Sequence, residues 1–174
     1  MNPFEAGRRK CIPATLIYPR FEDEFLMLHK NIKPGGRHHG KHNGLGGKLE
    51  ADESALDCAC REFYEETTWP LPVQSFHPLG MLHFPNFKPQ KSEDWLVTVF
   101  WADLPGRPGL DELSSPEGEL VWAHKDQLLD LNLWAGDGLF LPYVIAKQPF
   151  QGTIWYAGEA VVREQIQVLS VPPD

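Results

Sequence analysis

The chain has 174 residues, 42% of them apolar, enough to build one sizeable core in a single domain spanning residues 1–174. Sixteen basic and 24 acidic residues leave a net charge of −8, a poor match for a nucleic-acid polymer or an anionic membrane. A small phosphorylated ligand remains compatible if cations screen its approach, and hard divalent metals suit that role. Cys11, Cys58 and Cys60 include no Cys-x-x-Cys pair, which argues for reduced thiols and against a disulfide framework or zinc site. No apolar signal core opens the sequence and no run approaches membrane-spanning length, so a cytoplasmic protein is expected.

In chain order, Cys11 to Tyr18 and Glu24 to His29 are rich in β-forming residues and predict two strands. A glycine-rich segment follows from Asn31 to Gly47, carrying His38, His39 and His42 and too long for a plain turn. Ser54 to Thr67 predicts the first helix, with Ser54 and Asp57 spaced as a capping box and Pro70 preventing continuation. Leu79 to Phe84 and Trp95 to Ala102 predict strands, the second largely buried by its apolar character; Leu120 to Ala123 adds a short one. Leu139 to Lys147 suits a helix with Pro142 in its first turn. Ile154 to Tyr156 and Ala160 to Leu169 predict a closing hairpin around Ala157 and Gly158. Strands mixed irregularly with two main helices predict an α/β sandwich.

On a helical wheel, Leu56, Ala59, Cys60 and Phe63 fall on one narrow stripe, the expected buried face. Glu62, Glu65 and Glu66, at i, i+3 and i+4, form a ridge beside it. Alone, such a ridge reads as a solvated acidic face neutralised by Arg61. A divalent cation would also resolve the mutual repulsion, since Mg²⁺ prefers oxygen ligands.

The surroundings decide between these readings. Gly47 is followed after five residues by Glu53, and after seven more by Arg61-Glu62-Phe63-Tyr64-Glu65-Glu66-Thr67-Thr68-Trp69. This pattern over residues 47–69 resembles the signature of the Nudix hydrolases. The resemblance implies the Nudix fold, an α/β/α sandwich with a mixed β-sheet, and cleavage of a nucleoside diphosphate linkage with Mg²⁺, or Mn²⁺ in its place. It implies that Glu62, Glu65 and Glu66 bind the metal, joined by a backbone carbonyl of Gly46. Arg61 would orient the glutamates, and Glu53 would brace the loop against the helix. Glu117 resembles an extra metal-binding acid of MutT-type members, although a surface turn glutamate reads equally well. The general base stays open between Glu62 and an acid outside the box. Thr68 departs from the pattern, which has glycine there; a different helix exit is expected, because left-handed backbone is costly for a β-branched residue.

The physical logic is metal-assisted hydrolysis, in which cations neutralise the phosphate oxygens and acidify the attacking water. Arg37, Lys41 or Lys48 could assist with phosphates, although each alone reads as a solvated side chain. His38, His39 and His42 lack a companion zinc motif and read poorly as metal ligands.

Further residues resemble the mammalian MutT-type branch, which hydrolyses oxidised purine nucleoside triphosphates. They are Asn43 to Lys48, Leu133 to Asp137, Phe140 with Pro142, and the hairpin after Phe150-Gln151-Gly152. The resemblance implies a small nucleotide substrate, its base edge read by Asn43 and Asp137 and its pocket walled by Trp134, Phe140 and Phe84, with Lys30 as a pocket lysine. A carboxylate can accept from the N–H edge of a guanine-like base, and an indole can stack. That branch carries two adjacent acids where this chain has Gly136-Asp137. The expected reaction is a (deoxy)nucleoside triphosphate, such as 8-oxo-dGTP, going to monophosphate and pyrophosphate. Alternatives are another Nudix activity (on nucleotide sugars, dinucleoside polyphosphates or RNA 5′ ends), a catalytically silent sensor, or an isoprenoid diphosphate isomerase using Cys11.

Overall fold

A computed structural model describes residues 9–30 and 40–170. Its elements run β1 (Lys10–Phe21), β2 (Glu24–Lys30), β3 (Lys41–Asn43), α1 (Ala55–Thr67), β4 (Phe76–Lys88), β5 (Glu93–Asp103), β6 (Glu119–His124), α2 (Asp137–Ile145), β7 (Phe150–Ala157) and β8 (Ala160–Val168). The expected strands are therefore present, joined by the three-residue β3 inside the glycine-rich segment. The sheet order is β3-β2-β1-β5-β4-β7-β8, with β6 also on β2. It is mixed: β1 lies parallel to β5, and β4 parallel to β7, while the other pairs are antiparallel.

The site depends on a splay in this sheet. β1 pairs with β2 only through Arg20↔Phe25 and Phe21↔Glu24, after which β2 diverges toward β3 and β6. The vacated edge of β1 is taken by the loop after β3. Leu45 exchanges backbone bonds with Ile17, Thr15 N–H donates to the Gly47 carbonyl, and Leu49 N–H donates to the Pro13 carbonyl.

Both faces of β1 are covered, so adjacent residues point into different cores. Ile17 packs with Leu26, Leu28, Leu45 and, from α1, Ala59 and Phe63. Tyr18 packs on the other face with Met27 and Phe150 and, from α2, Phe140, Leu141 and Val144. One helix on each face of a mixed sheet makes the α/β/α sandwich expected from the sequence.

α1 begins as predicted. Ser54 Oγ accepts the Asp57 N–H at 3.1 Å while Asp57 accepts the Ser54 N–H at 3.2 Å, a reciprocal cap worth about 1 kcal/mol. The buried face is rotated from the predicted stripe. Ala59 and Phe63 are buried as expected, but Leu56 is 36% exposed and Cys60 half-buried, while Cys58 and Glu66 are buried instead. The 45–49 loop is the cause: it covers the flank of the helix that carries Cys58, a contact helical periodicity does not encode.

The exit of α1 also departs from expectation. Thr68 adopts the left-handed conformation itself, with φ 57° and ψ 14°, and its N–H returns to the Tyr64 carbonyl. Side-chain bonds compensate: Thr68 Oγ1 donates to the Thr67 carbonyl at 2.6 Å, and the Trp69 N–H donates to Thr67 Oγ1 at 3.1 Å. Pro142 is not in the first turn of α2 but the sixth of its nine residues, because the helix starts at Asp137. Proline has no N–H to offer the Gly138 carbonyl four residues back, and Gly138 is exposed. β5 is only partly buried: Val97, Val99 and Phe100 are covered, whereas Leu96, Thr98 and Trp101 are half-exposed. The closing hairpin turns at Gly158, φ 64°, between the paired Ala157 and Ala160.

Candidate active site

Gly46 and Gly47 run along the vacated edge of β1, and of the two only Gly46 is held to glycine by backbone. Gly46 has φ +135°, and a Cβ there would overlap the Thr15 carbonyl; a Cβ on Gly47 would overlap the Glu62 carboxylate. The loop therefore lies flat between β1 and the acidic edge of α1.

Arg61 organises that edge. Its Nε and Nη2 form a bidentate pair with Glu53 at 2.7 and 3.0 Å, and Nη2 also reaches the Lys48 carbonyl at 3.1 Å. Its Nη1 donates to Glu62 at 2.9 Å and to exposed Glu65 at 3.2 Å. Glu53 also accepts the Glu50 N–H at 2.8 Å. The Arg61 hydrogen bonds and that N–H hold the Glu53 carboxyl down at about 2. Glu53 and Arg61 thus tie loop to helix.

The three box glutamates occupy different environments. Glu65 is exposed; Glu62 is half-buried, and desolvation raises its pKa against the pull of Arg61. Glu66 is 2% exposed. One of its oxygens accepts the Gly46 N–H at 2.8 Å, and the other is buried without a partner among the described residues. Desolvation pushes this carboxyl up to about 8, against the Gly46 bond, and the negative charge of Glu117 pushes the same way. Glu117, just before β6, pairs with Lys30 at 2.7 Å at the end of β2.

This donor set suits a hard divalent cation, because every side chain in it is a carboxylate. The unpartnered Glu66 oxygen is the polar atom such an ion would satisfy. Among the described residues no three His, Cys, Asp or Glu side chains already converge as an ion cage. Arg61 and Lys30 instead occupy Glu62 and Glu117, so a bound ion would compete with these pairs.

A cleft of about 300 Å³ lies beside the glycine loop; Gly46, Gly47, Lys30 and Glu117 line it together with Asn43, Asp137, Trp134 and Phe84, and no residue of α1 is among its described lining residues. Asp137, at the start of α2, is open to the lumen yet walled by protein, and this desolvation pushes its carboxyl up to about 7, opposed by Lys41. Phe140 is not part of this wall. It is fully buried behind it, packed on Tyr18 and Phe150 at ring separations of 6.2 and 6.0 Å, because its place on α2 faces the sheet.

Sequence reasoning missed Tyr156, Trp95 and Phe87, which also line the cleft. Their positions on β7, β5 and β4 carry no signal for which face of a strand meets the cavity. Of the basic candidates, Lys48 lines the cleft and sits over the Trp95 ring at 5.4 Å, whereas Lys41 binds the Leu133 carbonyl at 3.0 Å. His42 stacks on His29 at 4.3 Å; Arg37, His38 and His39 lie outside the described residues. Cys11 is exposed and does not line the cleft, which removes the proposed acid–base partner of the isomerase alternative.

Carboxylates on a helix thus face a glycine loop that also lines a cleft with aromatic walls. A family model described as the NUDIX domain matches residues 12–144, and the chain belongs to this family. It is a hydrolase of phosphoric anhydride bonds. The chain is 31% identical to the oxidized purine nucleoside triphosphate hydrolase of Danio rerio over 154 residues, covering 83% of this chain and 94% of that protein. It is 32% identical to the Mus musculus protein of the same name over 122 residues, covering 70% and 73% respectively. Among solved structures it resembles a MutT protein from Bacillus halodurans, with TM-score 0.73 and 28% identity over 89% of this chain and 97% of that one.

Proposed function

We propose that the enzyme hydrolyses a (deoxy)nucleoside triphosphate to monophosphate and pyrophosphate, acting on oxidised purine nucleotides such as 8-oxo-dGTP. The observation that carries this reading is one continuous cleft, lined at the same time by Asn43, Asp137 and Trp134 and by Gly46 and Glu117 beside the box glutamates. A purine seated among the former directs its phosphates toward the latter. The names of the vertebrate relatives support the substrate class.

In this reading Glu62, Glu65, Glu66, Glu117 and the Gly46 carbonyl hold Mg²⁺, or Mn²⁺ in its place. Such an ion neutralises the phosphate oxygens and acidifies water when bound. Arg61 and Glu53 keep the ridge and loop in register, and Lys30 serves the pocket from the end of β2. Trp134 and Phe84 sandwich or wall the base, while Asn43 and Asp137 read its edge. Phe140 supports the wall from behind. The whole chain, 1–174, works as one domain in the cytoplasm; among the described residues no helix is long and apolar enough to cross a membrane.

The test is a panel of oxidised and normal purine triphosphates, nucleotide sugars, dinucleoside polyphosphates and capped RNA, with Mg²⁺ and with chelator. The expected result is fastest turnover of an oxidised purine triphosphate, pyrophosphate as product, and no turnover in chelator. Orthophosphate as the first product, or preference for a nucleotide sugar, would overturn the assignment.

A further inference from the structure

Gly136 poses a question that its backbone does not answer. Its φ of −72° and ψ of −26° suit any residue, so conformational freedom does not explain a glycine there. The space around it does. A Cβ at this position would overlap the Tyr156 hydroxyl, and it would approach Tyr156 Cζ at 3.1 Å and Ile154 Cγ2 at 3.3 Å. That hydroxyl accepts the Gly136 N–H at 2.7 Å in a buried bond between β7 and the residue that opens α2.

The consequence reaches the residue after it. Asp137 is held on one side by its own N–H, which donates to the Trp134 carbonyl at 3.0 Å. On the other side the Tyr156 bond fixes Gly136. The Tyr156 ring lines the same cleft as Asp137 and Trp134, and it meets the Trp134 ring edge-on at 6.5 Å and 89°. The turn from Trp134 to Asp137 is thus clamped from β7.

We infer that Tyr156 is a positioning residue for base selection: its hydroxyl aims Asp137 by fixing Gly136 and excludes any side chain at position 136, so the cleft reads its base with one carboxylate. This rests on the purine-reading proposal above. A buried hydrogen bond that orients a reading group acts on discrimination between bases more than on the chemical step.

The test uses Tyr156→Phe, Gly136→Ala and the double variant, with kcat and KM for 8-oxo-dGTP, dGTP and dATP and thermal unfolding of each protein. Tyr156→Phe keeps the ring and loses the acceptor. It is expected to change the ratio of guanine-type to adenine-type kcat/KM by about tenfold, mainly through KM. Gly136→Ala should lower both Tm and discrimination, and the double variant should recover part of that loss, because the phenyl ring leaves room for the methyl group. Effects that simply add in the Tm cycle would overturn the clamp itself. A parent that discriminates between purines and a Tyr156→Phe variant that does so equally well would overturn this inference alone. A parent indifferent to the base would overturn the purine-reading proposal and this inference with it.

Discussion

The Glu66 carboxylate accepts the Gly46 N–H at 2.8 Å through one oxygen and buries the other without a partner among the described residues. A side chain 2% exposed that keeps an unmet acceptor is costly in a metal-free protein. Its position is explained if the second oxygen is reserved for a cation.

Glu66→Gln and Glu65→Gln should each lower kcat by roughly a hundredfold or more, because each removes one charged group from the proposed metal site without disturbing the core. Circular dichroism should be unchanged. The check is kcat as a function of Mg²⁺ concentration; near-parental rates in both variants at low Mg²⁺ would remove the ridge from the chemistry.

Gly46 and Gly47 should separate stability from activity. Gly46→Ala meets the Thr15 backbone at φ +135° and is expected to cost about 2 kcal/mol or more in denaturant unfolding. Gly47→Ala meets only the movable carboxylate of Glu62. It should unfold near the parent midpoint yet lose about tenfold in kcat, as Glu62 shifts against Arg61. The pair is refuted if the two variants lose stability equally.

Much of this site is legible in the sequence because its parts are local. The capping box of Ser54 and Asp57, the ridge of Glu62, Glu65 and Glu66, and the spacing from Gly47 to Trp69 all lie on one helix and its entry loop. What escapes reading depends on distant contacts. The 45–49 loop on β1 buries Cys58 and Glu66 in place of Leu56, and the early start of α2 turns Phe140 into the core. Tyr156 enters the cleft through strand pairing 20 residues beyond Gly136, a separation no periodicity reports.

Thr68 supplies a stability prediction with no bearing on chemistry. Its φ of 57° strains a β-branched residue, although its hydroxyl donates to the Thr67 carbonyl. Thr68→Gly should raise stability by about 0.5–1 kcal/mol, since the relief of left-handed strain exceeds the loss of one half-exposed hydrogen bond. A lowered midpoint in urea would show that the hydroxyl bond outweighs the strain.

Asp137 links pH to stability and, in the proposed reading, to base selection. Burial raises its carboxyl to about 7 in the folded protein, from an unfolded value of about 3.9. The folded state therefore binds more protons than the unfolded state between these values, and this group makes stability fall as pH rises from about 4 to about 7. Asp137→Asn removes that dependence. The Tm of the variant relative to the parent should rise across this window and level off above about pH 7. Base selection should move with the same group. As the carboxyl loses its proton near pH 7, it becomes a pure acceptor for the N–H edge of a guanine-type base. The parent's kcat/KM for 8-oxo-dGTP and dGTP, relative to dATP, should therefore rise through about pH 7, while in Asp137→Asn the ratio stays flat and about ten- to a hundredfold lower. Specificity constants for the three nucleotides between pH 6 and pH 8.5 provide the measurement. A variant that lowers all three equally at every pH would make Asp137 a structural residue and leave base reading to Asn43 alone.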